Sequence, residues 1–183
     1  NYGCLEQIYN WEQFNVYYER LSAAGVIDSI KDIYWDARPM PELGTVEIRI
    51  CDTPLHISHA VLLVGYCRLL AGFLLSRRTE IAPEYYAFTN YNKINAYRNG
   101  FDADYVDSTT LKRSSLTSHM LTTLAALRTD ANDLETQSLL DKIERHVRLG
   151  VNDSERIRQM LDNGLSQKQI IQRLCDELLQ PVS

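Results

Sequence analysis

The 183 residues are 45% hydrophobic and 23% charged, the make-up of one globular domain with a sizeable core and not of a disordered or fibrous chain. A formal net charge of -5 with 19 Lys and Arg leaves no strongly basic face, which argues against a nucleic-acid binder that gains affinity by neutralising phosphates. Cys4, Cys51, Cys67 and Cys175 form no C-x-x-C pair, so zinc-finger and thioredoxin-like readings fail and a reduced, cytoplasmic compartment is the expectation.

Taken in order, Asn1 to Asn10 has no basic start, no apolar run and no initiating Met. No secretory leader is expected there, and the missing Met points to a piece of something longer. Trp11 to Ala24 places Trp11, Phe14, Tyr17 or Tyr18 and Leu21 at helical spacing, with Gly25 as the stop. A strand is expected over Ile33 to Arg38, ended by Pro39 and Pro41 because proline cannot donate to a ladder. Glu42-Leu43-Gly44 then turns the chain into a second strand, giving a hairpin with a rather long loop.

Leu55 to Arg78 is the longest apolar segment. His56, His59 and Arg68 interrupt it, so it reads as a buried helix of a soluble core, capped by Thr53 or Ser58, and not as a membrane span. His56 and His59 are three apart and have a metal-ligand spacing, but no third ligand lies nearby, and they read as polar residues of a first helical turn. Tyr85 to Gly100 is a further helix rich in aromatic and amide groups. On it Asn92 and Arg98, six apart, point about 120° away from each other. Phe101 to Asp107 reads as a short strand or turn. Helices follow over Leu116 to Arg128 with Ser115 as cap, Leu134 to Leu149 ending at Gly150, and Ser154 to Asp162 ending at Asn163-Gly164. A last helix, Gln167 to Leu179, is capped by Ser166 and closed by Pro181. These read as a helical cover on a sheet or as a packing surface for another chain.

The stretch Gly44 to Pro54 is the centre of the chain. Val46, Ile48 and Ile50 alternate with Glu47, Arg49 and Cys51, the period-two pattern of a half-buried strand with its apolar face inward. Its other face sets a carboxylate and a guanidinium about 7 Å apart along the backbone, with Asp52 just past the end. A carboxylate suits Mg²⁺ or Mn²⁺, which also bind substrate phosphates, and a planar guanidinium suits a phosphoryl group in transfer. Alone, the E-x-R pattern is more often an ion pair than an active site. Antiparallel pairing with the preceding strand brings Asp36 and Arg38 toward Glu47 and Arg49.

Several stretches together resemble a known family. Trp35-Asp36-Ala37-Arg38-Pro39, followed by Thr45-Val46-Glu47-Ile48-Arg49-Ile50-Cys51-Asp52-Thr53-Pro54, is similar to the W-D-x-R-P and T-x-E-x-R-x-x-D-x-P signatures of the carboxylate-amine ligases of glutamate-cysteine ligase type. Asn92-Lys93, then Ala96-Tyr97-Arg98-Asn99-Gly100-Phe101-Asp102, resembles that family's N-[RK]-x(3)-A-x-R-x-G-[LF]-[DE] segment, and Gly150-Val151-Asn152-Asp153 its G-x-x-D-A tail.

The resemblance implies an α+β chain, residues 1–183 forming a single domain that is part of a glutamine-synthetase-like catalytic fold. That fold has a mainly antiparallel sheet, helices packed outside and, here, a helical C-terminal region. It implies an ATP-dependent ligase that makes an amide through an acyl phosphate, releasing ADP and phosphate, with Mg²⁺ or Mn²⁺ as cofactor and an amino-acid carboxylate and an amine as substrates. By position Glu47 is then a metal ligand and Arg49 the catalytic contact to the transferred phosphate. Asp36, Arg38, Asp52, Asn92 and Arg98 match motif positions that bind substrate or nucleotide. Members of the family are about twice this length, and their E-x-E and H-x-H-x-G strands have no counterpart in this sequence. The chain therefore resembles the C-terminal half, expected to need its N-terminal half for activity and, through an exposed sheet edge, to associate as a homo-oligomer. Two other readings stand beside it: a non-catalytic binding or assembly module on the same scaffold, and a plain structural domain with a Glu47/Arg49 ion pair. No nucleic-acid or membrane partner is expected.

Overall fold

The computed structural model describes residues 2–3, 8–77 and 85–178. Cys4, the Arg78 end of the long apolar segment, Leu179 and Pro181 lie outside the described residues. The chain divides into two compact units, Asn1–Asp52 and Thr53–Ser183. Helices dominate, and the strands pair only in twos. The described residues therefore form small two-stranded pieces in place of the expected extended antiparallel sheet.

In the first unit, strand β1 (Tyr2–Gly3) pairs in parallel with β2 (Tyr34–Trp35), and β3 (Ala37–Met40) pairs antiparallel with β4 (Thr45–Ile48). Helix α1 (Trp11–Ala23) starts at Asn10, whose side chain accepts from the Gln13 amide, and stops at Gly25. There φ is +66°, and the Gly25 and Val26 amides return to the Ser22 and Leu21 carbonyls, the closing geometry that favours glycine. Phe14, Ile27, Ile33 and Trp35 are buried together, with Tyr17, Tyr18 and Leu21 against them. Trp35 lies edge-on to Phe14 at 6.0 Å between ring centres. This aromatic nucleus anchors β2 and so fixes where β3 begins.

The expected strand Ile33 to Arg38 is instead two short strands broken at Asp36, and Pro39 sits inside β3 rather than ending it. The register explains why proline is tolerated. Arg38 faces Glu47 and Pro39 faces Val46, and the Arg49 amide donates to the Asp36 carbonyl at 2.7 Å. Hydrogen-bonded and non-bonded pairs alternate in an antiparallel ladder, so Pro39 falls at a non-bonded position where no N–H is required. A short Pro41–Leu43 turn of 3-10 helix and Gly44 at φ +62° close the hairpin.

Burial on β4 is the reverse of the expectation. Val46, Ile48 and Ile50 are 64%, 46% and 52% exposed, whereas Arg38 on the polar face is 4% exposed. The Arg38 guanidinium is drawn in by the Ile30, Lys31 and Ile33 carbonyls and by Glu47, while the aliphatic row stays exposed.

In the second unit, α2 (Ile57–Leu75) begins with His56 in the capping position and no side-chain cap, so neither Thr53 nor Ser58 serves. Among the described residues it is the one helix long and apolar enough to cross a membrane. It is not the buried core helix expected, because none of its residues is fully buried. Leu62, Tyr66, Leu69 and Phe73 pack on the core, while Ile57, Val61, Val64 and Leu75 on the opposite stripe are exposed. That core is built by α4 (Leu116–Arg128) and α5 (Leu134–Leu149), through Leu124, Leu127, Leu140, Ile143 and Val147. Gly65 lets α2 come close to α5: a Cβ there would lie 2.7 Å from Leu139 Cδ2.

Helix α3 (Tyr85–Asn99) leads through Gly100 into the hairpin of β5 (Asp104–Val106) and β6 (Arg113–Ser115). Ser115 caps α4, Asp133 caps α5, and Gly150 ends α5 at φ +66°. Asn152 caps α6 (Asp153–Asp162), and Ser166 with Gln169 forms a capping box on α7 (Gln167–Glu177). Polar side chains at these starts satisfy amides that have no partner within the helix, which is why the helical boundaries were readable from the sequence.

Candidate active site

Opposed residues of an antiparallel ladder share a face. The register of β3 and β4 therefore sets Arg38 against Glu47, and the Asp36–Arg49 bond continues the same alternation one pair further. Asp36, Arg38, Glu47 and Arg49 thus project from one side of the hairpin. This is the grouping that antiparallel pairing of the two segments was expected to produce.

The centre of the group is the Glu47 carboxylate. Its Oε2 accepts from Arg38 Nη2 at 2.6 Å, and its Oε1 lies 3.5 Å from Arg49 Nη1. Arg38 is held from behind: its Nη1 donates to the Lys31 carbonyl at 2.7 Å and reaches those of Ile30 and Ile33 at 3.4 Å. The Ile30 and Lys31 carbonyls belong to a 3-10 turn, Ile30–Asp32, fixed by a capping box of Ser29 and Asp32, and Ile33 follows it directly. Hydrogen bonds from the Ser29 and Asp28 amides hold the Asp32 carboxyl below the usual carboxylate range. A buried guanidinium is tolerable only when its charge is paired and its N–H groups are bonded. Arg38 meets that condition at both terminal nitrogens, leaving Nε without a partner among the described residues.

Arg49 is placed differently. Its side chain is 32% exposed, and its guanidinium carbon stands 5.4 Å from the centre of the Tyr34 ring, within cation–π range. Tyr34 was absent from the sequence-based set. The signal was present, since Tyr34, Asp36 and Arg38 are spaced by two and fall on the side of the chain that carries Glu47 and Arg49. Asp36 is half-buried, and Asp52 is exposed beyond the end of β4.

Asn92 and Arg98 belong to the second unit. Asn92 acts there as a piece of strand: its Nδ2 donates to the Val106 carbonyl and its Oδ1 accepts from the Val106 amide, both at 2.8 Å. Asn95 adds a bond to the Asp104 carbonyl at 2.6 Å, so α3 serves β5 as a lateral partner. Arg98, six residues on, is exposed, as the helical turn angle requires.

The comparisons with known proteins bear on what this hairpin belongs to. The model of glutamate-cysteine ligase family 2 (GCS2) matches residues 2–177. The chain belongs to glutamate-cysteine ligase family 2. A protein of Chromobacterium violaceum is 39% identical over 172 residues, covering 93% of this chain and 46% of its own length. Another, of Janthinobacterium sp. (strain Marseille), is 32% identical over 173 residues, with 93% and 46% covered. A third, of Polaromonas naphthalenivorans, is 34% identical over 168 residues, with 91% and 44% covered. Each carries the name "Putative glutamate--cysteine ligase 2". This member of the family spans about half the length of the curated relatives it matches.

The residues of the hairpin are compatible with a divalent cation. A carboxylate has about four lone-pair directions, and the two arginines take only part of them, while the Glu47 side chain remains 42% exposed. Mg²⁺ characteristically takes one or two carboxylates and completes its shell with water and phosphate oxygens. Among the described residues no group of three or more His, Cys, Asp or Glu side chains is arranged to hold a metal ion, so this hairpin offers at most part of a ligand set and not a closed cage.

Proposed function

We propose that the chain is part of an ATP-dependent carboxylate-amine ligase with a catalytic fold related to glutamine synthetase, and that the face of β3 and β4 is one wall of its nucleotide-metal site. Family membership over residues 2–177 supports the reaction class. The observation that carries the site is the Arg38–Glu47–Arg49 arrangement: a half-exposed carboxylate oriented by a buried arginine, with a second, accessible arginine beside it. Glu47 would hold Mg²⁺ or Mn²⁺, and the ion would supply neutralisation of phosphate charge at that site. Arg49 directs its planar fork at the transferred phosphoryl group, where several N–H donors can follow the developing charge.

Arg38 has a different role from the substrate contact expected of it. With its terminal nitrogens committed to three carbonyls and Glu47, it orients the carboxylate rather than meeting substrate. Asp36 and Asp52 flank the same hairpin and remain candidates for substrate or nucleotide contacts. Asn92 and Arg98 enter by the family resemblance alone. An amino-acid carboxylate and an amine are the substrates in this reading, with ATP as co-substrate and the remaining half of a full-length ligase as partner. The test is ATP consumption dependent on an amino acid and Mg²⁺ in a full-length protein carrying this chain. Glu47→Gln and Arg49→Ala are expected to abolish it, and unchanged turnover in both variants overturns the assignment.

A further inference from the structure

Three imidazoles meet in the second unit where the start of α2, the end of α5, the start of α6 and the end of α7 converge. The rings of His56 and His59 stand edge to face with centres 5.1 Å apart, and those of His59 and His146 at 4.6 Å. The Phe101 ring stands edge to face with that of His146, centres 6.1 Å apart. The side chains of His56 and His59 are only 8% and 13% exposed.

Charged groups of α6 and α7 face this stack. The Arg156 guanidinium contacts His56 Nε2. Because a guanidinium can only donate, Nε2 accepts, and His56 Nδ1 carries the hydrogen donated to the Glu177 carbonyl at 3.1 Å. Arg156 also bonds the Glu177 carboxylate at 2.6 Å and lies 3.8 Å from Asp153. Asp153 accepts from the Leu55 amide at 2.8 Å through Oδ2 and approaches His59 Nδ1 to 3.4 Å through Oδ1. His59 Nε2, Ser58 Oγ and Asp153 Oδ1 are buried with no hydrogen-bond partner among the described residues. The closest pair of rings, His59 on α2 and His146 on α5, thus joins those two helices, while Asp153, Arg156 and Glu177 reach the start of α2 from α6 and α7.

We propose that the His59–His146 contact is an acid-sensitive latch: neutral rings hold the start of α2 against the end of α5, and protonation of both rings separates these two helix ends while the α4–α5 core stays packed. Two charged imidazoles 4.6 Å apart in a desolvated pocket repel, and a proton on His59 Nε2 has no acceptor there. Burial pushes both rings below the ordinary value of 6.5. The neighbouring His146 adds to the effect on His59, and Asp153 opposes it on both.

The sign follows by linkage. Depressed values mean that the closed state binds fewer protons than the open one, so closure is fully favoured above 6.5 and is lost as pH falls from 6.5 through the lowered values. Glu177, on the facing helix, is held below its ordinary 4.5 by Arg173 and Arg156. The interval between 6.5 and 4.5 therefore belongs to His59 and His146. His119 also titrates low because of burial, but it sits apart, stacked on Tyr105 at 3.6 Å.

Hydrogen exchange of the whole chain, read by mass spectrometry at pH about 7.5 and about 5.5 and corrected for intrinsic rates, tests the latch. Peptides of the start of α2 and the end of α5 are expected to gain about tenfold or more in opening constant on acidification, with those of α4 and the start of α5 unchanged. The double variant His59→Gln/His146→Gln is expected to lose this response, and His119→Gln to keep it. A uniform response across the unit, no response, or a response that survives the double variant overturns the proposal. Ring-proton titration of the unaltered chain gives a check that does not depend on how the variants fold: His59 and His146 titrating at or above 6.5 overturns it as well.

Discussion

Replacing Arg38 by Met separates the structural part of the hairpin from its chemical part. The substitution keeps most of the side chain's length and removes one short bond to a backbone carbonyl, two longer ones at 3.4 Å and the 2.6 Å bond to Glu47. Hydrogen bonds to charged groups are worth about 1.5–3 kcal/mol each, and an orphaned buried acceptor costs about 1–3 kcal/mol. The Ile33 carbonyl belongs to a fully buried residue and bears that cost, whereas the Glu47 side chain is 42% exposed and recovers water, so its share falls toward that of a surface pair, about 0–1 kcal/mol. Removing a buried charge whose Nε has no partner returns part of the loss. The net destabilisation is therefore about 2–3 kcal/mol.

Trp11 and Trp35 are the protein's two tryptophans and both lie in the first unit, so their fluorescence during urea unfolding reports this unit alone. With a slope of about 1–3 kcal/mol/M, Arg38→Met should lower the midpoint by about 0.7–3 M. Glu47→Gln, made at the half-exposed end of the same pair, should change it by less than half as much. Equal midpoints for Arg38→Met and the unaltered chain, or a larger loss for Glu47→Gln, would refute the view that Arg38 supports Glu47.

Two further outcomes test the second unit. Asn92→Ala deletes both 2.8 Å bonds to Val106 and should destabilise the unit by about 1–3 kcal/mol, seen as a lower thermal midpoint by circular dichroism; Asn92→Asp, which can still accept from the Val106 amide, should recover part of it. Gly100→Ala forces a Cβ against the Asn152 side chain at φ +56°, and the left-handed strain should cost about 1–3 kcal/mol, measured in the same way, where a neutral result would show that the α6 cap can shift aside.

The sequence was most legible where local chemistry decides the structure. Helices α4 and α5 match their expected limits, and α6 and α7 nearly so, because Ser115, Asp133, Asn152, Ser166 and Gly150 mark ends whose amides and carbonyls need partners. The hairpin and its polar face were legible too, since period two and two flanking motifs agree. Burial was not. Alternation shows that β4 has two faces but not which one is covered, and the carbonyls of Ile30, Lys31 and Ile33 take up Arg38 on the polar face, leaving Val46, Ile48 and Ile50 exposed. Apolar composition likewise failed to give the burial of α2, because a helix that is hydrophobic all round carries no record of which stripe finds a neighbour. Pro39 was misread as a strand end because its tolerance depends on register, which pairing sets and spacing does not. The histidine stack was invisible for the same reason: His146 and Asp153 lie far from His56 in sequence, and only the packing of α5 and α6 brings them together.

The central claim concerns the two side chains on β4. In a full-length ligase that carries this chain, amino-acid-dependent ATP turnover should fall by about a hundredfold or more in Glu47→Gln and in Arg49→Ala, with the tryptophan-monitored urea midpoint of the first unit nearly unchanged. Turnover within a few-fold of the unaltered enzyme in both variants would contradict the assignment and leave the hairpin as an ion pair on a structural strand.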